Sequence, residues 1–194
     1  HKGQSVLYYA EVDTPLLDAM VLLSEALGVC KEKLLSSLPD PVDEQAYRRY
    51  CRLLDLRCSG IPVSYIRRKK EFFSLEFYVD GRVMVPRPET EALVEEALRA
   101  SRVLLALRGP EPLSLHDACT GSGCVAIALK HSQPELEITA SDVSQEAGEV
   151  FSLNSERILG SQLPFLVSDL LEQVPGPFDL ITANPPYLTD REVE

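Results

Sequence analysis

The stretch Leu113-Ser114-Leu115-His116-Asp117-Ala118-Cys119-Thr120-Gly121-Ser122-Gly123 decides the fold class of this chain. Residues 113–118 are a short apolar run that predicts a buried strand. Residues 120–123 predict a glycine-rich turn, and residues 124–130 predict a helix. A strand, a tight turn and a helix in succession are typical of a βαβ unit.

The chain downstream of this stretch repeats the alternation of strands and helices. The further predicted elements are three strands and one helix, at 136–140, 165–167, 178–182 and 144–159. The second strand is followed by Asp142 and the third by Ser168 and Asp169. Strands that alternate with helices indicate an α/β domain with a parallel sheet.

The chain upstream has a different pattern. Residues 1–66 predict a small helical domain, with helices that begin after Asp13, at Lys31 and after Asp43. The third of these is expected to bury an apolar stripe of five residues: Tyr47, Tyr50, Leu53, Leu54 and Cys58. After Gly60 the period changes from that of a helix to that of a strand.

A β-hairpin is predicted between the helical region and the sheet. Phe73 to Val79 alternate, Asp80-Gly81 is a strong turn signal, and Val83 to Val85 would form the returning strand. A helix is then predicted from Glu89 to about Arg108. We therefore divide the chain into a helical domain at 1–66, a hairpin linker at 67–86 and an α/β domain at 87–194.

Composition narrows the classes of partner. The formal net charge of −11 argues against tight binding to DNA or RNA, because such proteins usually present a basic surface. Five cysteines without a Cys-x-x-Cys pair support neither a disulfide framework nor a zinc site, so we expect a reducing compartment and no metal. No apolar run approaches membrane-spanning length, and we expect no membrane partner.

The glycine turn and Asp142 together predict a nucleoside-containing ligand. Gly121-x-Gly123-x-x-Ala126 allows close approach of the backbone, and Asp142, 21 positions beyond Gly121, is placed to hold ribose hydroxyls. This pattern fits a nicotinamide dinucleotide, which keeps a dehydrogenase open. Asp117, just before the turn, would repel a pyrophosphate and favour a cationic ligand, and it can also cap the amides of the turn.

Asn184-Pro185-Pro186-Tyr187 follows the last predicted strand, where α/β folds place their chemistry. Two prolines in succession make the loop stiff. The Asn184 amide and the backbone carbonyls are acceptors suited to a planar NH2 group, with the flat ring of Tyr187 beside them. A plain Asn-Pro turn is the alternative interpretation.

Residues 117–123, 141–144, 168–169 and 184–187, in this order, resemble the motifs of class I methyltransferases that use S-adenosylmethionine and modify planar nitrogens. Three further runs resemble a narrower family: Gly60-Ile61-Pro62-Val63-Ser64-Tyr65-Ile66, Glu71-Phe72-Phe73 and Val85-Pro86-Arg87-Pro88-Glu89-Thr90-Glu91. These are similar to the HemK/PrmC family, which methylates the N5 amide nitrogen of a glutamine in peptide chain release factors.

The resemblance implies a Rossmann-like methyltransferase sheet. Because the sheet of that family continues for several more strands, we expect it to be incomplete at the C-terminus of this chain. The cofactor would be S-adenosylmethionine and its product S-adenosylhomocysteine. The partner would be a release factor with its glutamine in a Gly-Gly-Gln motif, the enzyme a monomer, and the compartment the bacterial cytoplasm or an organellar matrix.

The resemblance also implies roles for individual residues. Cys119, Thr120, Gly121, Ser122 and Gly123, with Asp117 before them, would hold the methionine part of the cofactor. Asp142 would bind the ribose, Asp169 and Leu170 would flank the adenine, and Asn184, Pro185, Pro186 and Tyr187 would hold the substrate glutamine. Cys119 stands where the family commonly has Gly, and Leu170 where an aromatic residue is common.

The predicted mechanism is direct displacement at the methyl carbon. Asn184 Oδ1 and the Pro185 carbonyl would accept from the two N–H bonds of the substrate amide and aim its lone pair at the methyl group. Asn184 would therefore border the cofactor as well as the substrate. Two alternatives stay open: an N6-adenine methyltransferase of nucleic acids, which would use the same tetrapeptide, and a non-catalytic fragment that binds S-adenosylmethionine.

Overall fold

A computed structural model describes residues 2–36, 41–109 and 111–186 of the chain. The chain divides into two compact units, residues 1–68 and 69–194. Within the described ranges, none of the helices has both the length and the apolar character needed to cross a membrane.

In the residues of the first unit that the structure describes, all regular secondary structure is helical. The helices are α1 (Lys2–Tyr9), α2 (Pro15–Leu27), α3 (Lys31–Ser36), α4 (Glu44–Cys58) and α5 (Val63–Arg67). Helix α2 begins at a proline and ends at Gly28, whose φ of 67° closes the helix in the left-handed conformation. Asp43 caps α4, because its carboxylate accepts a hydrogen bond from Ala46 N at 2.9 Å. The core of the unit is formed by Leu7, Ala19, Leu22 and Leu54.

Two predictions for this unit were wrong. The stripe predicted for α4 includes Tyr47 and Cys58, which are exposed, whereas Leu54 is buried. Tyr50 is half-buried because it packs against the core of the unit, and its hydroxyl donates to Ala19 O at 3.2 Å. Helix α5 occupies residues where a strand period was predicted, because Pro62 starts a short helical turn. The second helix is predicted to run from Lys31 to Ser37, and Ser37 lies outside the described residues.

The second unit contains a two-stranded hairpin and a four-stranded parallel sheet. Its elements in order are β1 (Lys70–Phe72), β2 (Leu75–Phe77), a 3-10 turn (Pro88–Thr90), α6 (Glu91–Arg108), β3 (Ser114–Ala118), α7 (Cys124–Ser132), β4 (Glu137–Asp142), α8 (Gln145–Leu159), β5 (Phe165–Val167) and β6 (Leu180–Ala183). The parallel strands lie in the order β5-β4-β3-β6. The predicted alternation of strands and helices from residue 113 onward is confirmed.

The strand order reverses direction at β3. From β3 the chain moves outward through β4 to β5, and β6 then pairs on the opposite side of β3. Such a reversal opens a crevice beyond the carboxyl ends of the two strands that diverge. The ends of β3 and β6, at Ala118 and Ala183, border that crevice.

A hairpin lies within residues 67–86, but its strands and its turn are not the predicted ones, because Phe73 falls in the turn and residues 83–85 form no strand. The chain reverses at Phe73 and Ser74, which have φ values of 50° and 61° and lie between the paired residues Phe72 and Leu75. A two-residue turn of this kind needs two left-handed residues. Phe73 adopts that conformation with its N–H bonded to Glu91 Oε1 at 2.9 Å.

The Asp80-Gly81 signal therefore does not start a returning strand. Asp80 is buried, and its carboxylate accepts from Arg82 N at 3.1 Å and from the Arg82 guanidinium at 2.8 Å. These bonds close a local turn, after which Val83 packs into the core and residues 83–85 leave without a strand partner in the described chain.

The last strand begins two residues later than predicted. Phe178 lies outside β6, because its ring stacks on the buried His116 with ring centres 5.0 Å apart. Asp179 binds Ser114 through both its N–H and its side chain, at 2.9 Å each. The strand proper then runs to Ala183, so Asn184 is the first residue beyond its carboxyl end.

Candidate active site

A cleft lies at the carboxyl ends of β3 and β6. The loop after β3 and the residue after β6 form one part of its wall, and the segment before α6 forms another. The lining residues are Met84, Val85, Pro86, Arg87, Thr90, Asp117, Cys119, Thr120, Gly121, Ser122, Cys124, Val125 and Asn184. Six of these are predicted site residues, which the fold gathers although β3 and β6 are separated by more than sixty residues of sequence.

Asp117 forms the buried acidic part of this cleft. Its side chain is 2% exposed and accepts hydrogen bonds from Thr120 Oγ1 at 2.6 Å and from Thr182 Oγ1 at 2.7 Å. Burial raises the pKa of Asp117 to about 6, while the two hydroxyl hydrogen bonds hold the pKa below what burial alone would give. Near neutral pH the carboxylate is charged, and a cation in the cleft would stabilise it.

The loop after β3 takes its shape from left-handed residues. Cys119, Gly121 and Gly123 have φ values of 56°, 54° and 82°. A Cβ on Gly123 would lie 2.5 Å from Phe151 Cδ2, so this position requires glycine for space as well as for conformation. The non-glycine residue Cys119 occupies its left-handed position at a cost of about 1–2 kcal/mol.

Asp142 holds this loop against the next helix. Its Oδ2 accepts from Gly121 N at 2.8 Å, and its Oδ1 accepts from Ser144 N at 3.1 Å. Each carboxylate oxygen has further acceptor capacity, because an ionised carboxylate offers about four lone-pair sites. Asp142 lies at the end of β4, beside the cleft, and is not one of its lining residues.

A third carboxylate belongs to the same region. The pKa of the Cys119 thiol is raised by burial and by the charges of Asp142, Asp117 and Asp169. Asp169 is exposed, and so is its neighbour Leu170, which has a φ of 48° and a carbonyl that accepts from Ser141 Oγ at 3.3 Å. Neither residue lines the cleft.

Asn184 is the half-buried residue at the end of β6. Its Nδ2 donates to Thr90 Oγ1 at 3.3 Å. Because the amide is planar, the contact of the NH2 end with Thr90 turns Oδ1 to the opposite side. Pro185 is half-buried and Pro186 is exposed, while Tyr187 lies outside the described residues.

Asn154, on α8, links the glycine loop to the chain that follows β2. Its side chain is fully buried and contacts both backbone groups of Tyr78: Oδ1 accepts from Tyr78 N at 2.7 Å, and Nδ2 donates to Tyr78 O at 2.9 Å. Nδ2 also donates to Ser122 O in the glycine loop at 2.9 Å. Helix α8 therefore fixes that loop relative to the chain that follows β2.

Several residues of the site were missed in the sequence. Thr182 had an available signal, because it is a polar residue within the last predicted strand, two positions before Asn184. In the structure it pairs with Asp117. Thr90 lies in one of the runs that carry the family resemblance, but nothing local linked it to Asn184, 94 positions away. Asn154 had no signal, because its contact joins residues 76 positions apart.

Each of the two units matches a known protein domain family. Residues 1–67 match the PrmC N-terminal domain, and residues 97–194 match the methyltransferase small domain. The release factor glutamine methyltransferase of Leptospira interrogans is 37% identical over 194 residues, which cover 96% of this chain and 65% of that protein. The protein of the same name from Koribacter versatilis is 39% identical over 190 residues, 95% of this chain and 64% of that protein.

A crystal structure of the ribosomal protein L11 methylase of Lactobacillus delbrueckii subsp. bulgaricus matches with 29% identity and a TM-score of 0.40, covering 51% of this chain and 47% of that one. The present chain spans less than two thirds of the length of the two curated relatives. The resemblance seen in the sequence is confirmed, as is the class I methyltransferase fold, with its parallel sheet preceded by a helical domain. The chain belongs to the HemK/PrmC family, with a PrmC N-terminal domain followed by a methyltransferase small domain.

Proposed function

We propose that this chain transfers a methyl group from S-adenosylmethionine to the side-chain amide nitrogen of a glutamine in a peptide chain release factor. The observation that carries the proposal is one cleft that contains Asn184, Asp117 and the glycine loop. The names of the relatives from Leptospira interrogans and Koribacter versatilis support the substrate class. We further propose that the glutamine lies in a Gly-Gly-Gln motif.

The charges around the cleft fit a cationic cofactor. Asp117 is buried in its wall, and Asp142 and Asp169 act with it on the same thiol, that of Cys119. Three carboxylates would repel the pyrophosphate of a nicotinamide dinucleotide, whereas they favour an ammonium and a sulfonium. This charge pattern disfavours the dehydrogenase alternative.

We propose that the cofactor is held by residues from three parts of the chain. Asp117 and the loop from Cys119 to Gly123 would hold the amino acid part, Asp142 the ribose, and Asp169 with Leu170 the adenine. When bound, S-adenosylmethionine supplies a methyl group on a sulfonium and leaves as S-adenosylhomocysteine.

Asn184 would orient the substrate nitrogen. An amide nitrogen is a poor nucleophile because its lone pair is delocalised into the carbonyl group. Asn184 Oδ1 and the Pro185 carbonyl, as acceptors for the two N–H bonds, would direct the lone pair towards the methyl carbon and stabilise the positive charge that grows on nitrogen. The nitrogen loses its extra proton after transfer, so no strong base is needed beside Asn184. Pro186 and Tyr187 would complete the wall around the glutamine side chain.

The same tetrapeptide would suit the amino group of adenine. A nucleic-acid methyltransferase needs a basic surface for phosphates, however, and this chain carries a net charge of −11. We therefore propose a protein substrate and no direct contact with nucleic acid. We also propose that the protein is a monomer and that it acts in the bacterial cytoplasm, or in an organellar matrix in a eukaryote. We further propose that its domains are a helical domain at 1–66, a hairpin linker at 67–86 and a methyltransferase domain at 87–194.

Transfer of radiolabelled methyl groups tests the proposal. The full chain is incubated with labelled S-adenosylmethionine and purified release factor, with DNA and a release factor lacking the Gly-Gly-Gln glutamine as controls. We expect label in the intact release factor only. Label in DNA would favour the adenine enzyme, and cofactor binding without transfer to any substrate would favour the non-catalytic fragment.

A further inference from the structure

Thr90 belongs to the Pro-Glu-Thr-Glu run at residues 88–91, to which the chemistry above assigns no role. The residue is 9% exposed and stands immediately before α6. A threonine in this position commonly caps the helix with its hydroxyl. Thr90 makes no capping bond, and its Oγ1 instead accepts from Asn184 Nδ2 at 3.3 Å.

Thr90 is held by contacts independent of the loop that carries Asn184. Its N–H donates to Arg87 O at 3.0 Å, which closes the 3-10 turn, and Pro88 restricts the backbone at the first position of that turn. The next residue, Glu91, accepts from Phe73 N at 2.9 Å and so ties the turn to the hairpin. The backbone that carries the Thr90 hydroxyl is therefore held in place independently of Asn184.

The alignment matters because the two ends of an asparagine amide have almost the same shape and opposite hydrogen-bonding character. A rotation of the Asn184 amide by half a turn would replace the acceptor Oδ1 with the donor Nδ2. Two donors would then face each other when a substrate NH2 group enters the cleft. The bond to Thr90 keeps the Nδ2 end away from that position.

We propose that Thr90 is a positioning residue for Asn184: its hydroxyl oxygen holds the amide in the orientation in which Asn184 accepts from the substrate. This inference rests on the proposed function, because it assigns Thr90 to the amide transfer at the same cleft. The proposal assigns two functions to the Pro-Glu-Thr-Glu run: Thr90 orients Asn184, and Glu91 holds the hairpin turn.

The test compares Thr90→Val, which keeps the branched shape and removes the oxygen, with Thr90→Ser, which keeps the oxygen. Ser101→Ala is the matched control, because it removes a buried hydroxyl from α6, the helix that Thr90 precedes. Ser101 donates to Gln133 Oε1 at 2.6 Å and does not line the cleft. We expect Thr90→Val to lower kcat about tenfold or more, with the affinity for S-adenosylhomocysteine changed less than about threefold. Thr90→Ser should recover most of kcat, and Ser101→Ala should leave kcat near its original value.

A double-mutant cycle separates positioning from a general structural effect. In the Asn184→Ala background, Thr90→Val should change kcat by less than about twofold, because the group it positions is gone. An equal loss in both backgrounds, or a Thr90→Val enzyme at the original rate, would overturn the proposal. If Thr90→Val shows no cooperative thermal unfolding transition and is therefore not folded, Thr90→Ala replaces it in the same cycle.

A spectroscopic measurement keeps the inference separate from the proposed function. The side-chain NH2 signals of Asn184 in a nitrogen-proton spectrum of the full chain should shift in Thr90→Val and return in Thr90→Ser. If the original chain transfers no methyl group, the proposed function fails, while these signals still decide whether Thr90 orients the amide. Signals that are the same in all three proteins would refute the contact.

Discussion

Replacing Asp117 by Asn should change how the stability of the chain depends on pH. Burial raises the pKa of Asp117 from 3.8 to about 6 in the folded state, so the folded chain holds this proton over a range in which the unfolded chain has released it. The stability that the protonated carboxyl contributes is present below about pH 4 and is lost as the pH rises through about 6. A shift of about two pH units corresponds to about 3 kcal/mol in total, of which about 2 kcal/mol falls between about pH 4.5 and 7.5.

Asn at position 117 keeps the shape and does not titrate. One of the hydroxyls of Thr120 and Thr182 can continue to donate, and the other can rotate to accept from the new NH2 group. Urea unfolding of both proteins without cofactor measures the free energy of unfolding at each pH. The value for Asp117→Asn minus that for the original chain should rise by about 2 kcal/mol between about pH 4.5 and 7.5. If the difference in free energy of unfolding between the two proteins stays constant with pH, the assignment of a buried, destabilised charge to this position is refuted.

Three other substitutions test separate parts of the site. Asp142→Ala removes the acceptor of Gly121 N and the expected ribose ligand, so calorimetry should find the affinity for S-adenosylhomocysteine weakened by about 1–3 kcal/mol; an unchanged affinity would exclude the role. Gly123→Ala places a Cβ 2.5 Å from Phe151 and should lower the free energy of unfolding by about 2–3 kcal/mol. Gly160→Ala is the control, because Gly160 has a φ of 72° and open space around it, so the substitution should lower the free energy of unfolding by only about 1 kcal/mol. Equal losses in urea unfolding would contradict the close packing at Gly123. Asn184→Ala should raise the barrier to methyl transfer by about 2–4 kcal/mol with cofactor affinity nearly intact, and Asn184→Asp should retain more activity than Ala; transfer by Asn184→Ala at the original rate would remove this residue from the mechanism.

The parallel sheet could be predicted from the sequence because its signals are local. Residues 113–130 combine an apolar run, two glycines and a helical segment, and these patterns correspond in the structure to β3, the loop and α7. The cleft could be predicted in part for the same reason: Asp117 and Asn184 each follow or end a recognisable strand, and parallel strands bring such residues to one edge.

The hairpin turn could not be predicted, because a tertiary contact accompanies it. Asp80-Gly81 has stronger turn propensity than Phe73-Ser74, yet the chain reverses at the latter pair, where Glu91 binds the Phe73 amide. The Asp80 side chain instead uses its hydrogen-bonding capacity on Arg82. Propensity describes a residue in isolation, and here it was overruled by a partner 18 positions away.

The buried amide of Asn154 couples the motions of the glycine loop and of the chain that follows β2. By accepting from the N–H and donating to the C=O of Tyr78, it takes the place that a neighbouring peptide group would hold in a third strand, and the same NH2 group binds the carbonyl of Ser122. Any fluctuation that opens α8 at this point must release both segments at once. Hydrogen exchange of the Tyr78 amide therefore reports the integrity of the glycine loop, and this loop and the chain that follows β2 loosen as one cooperative unit.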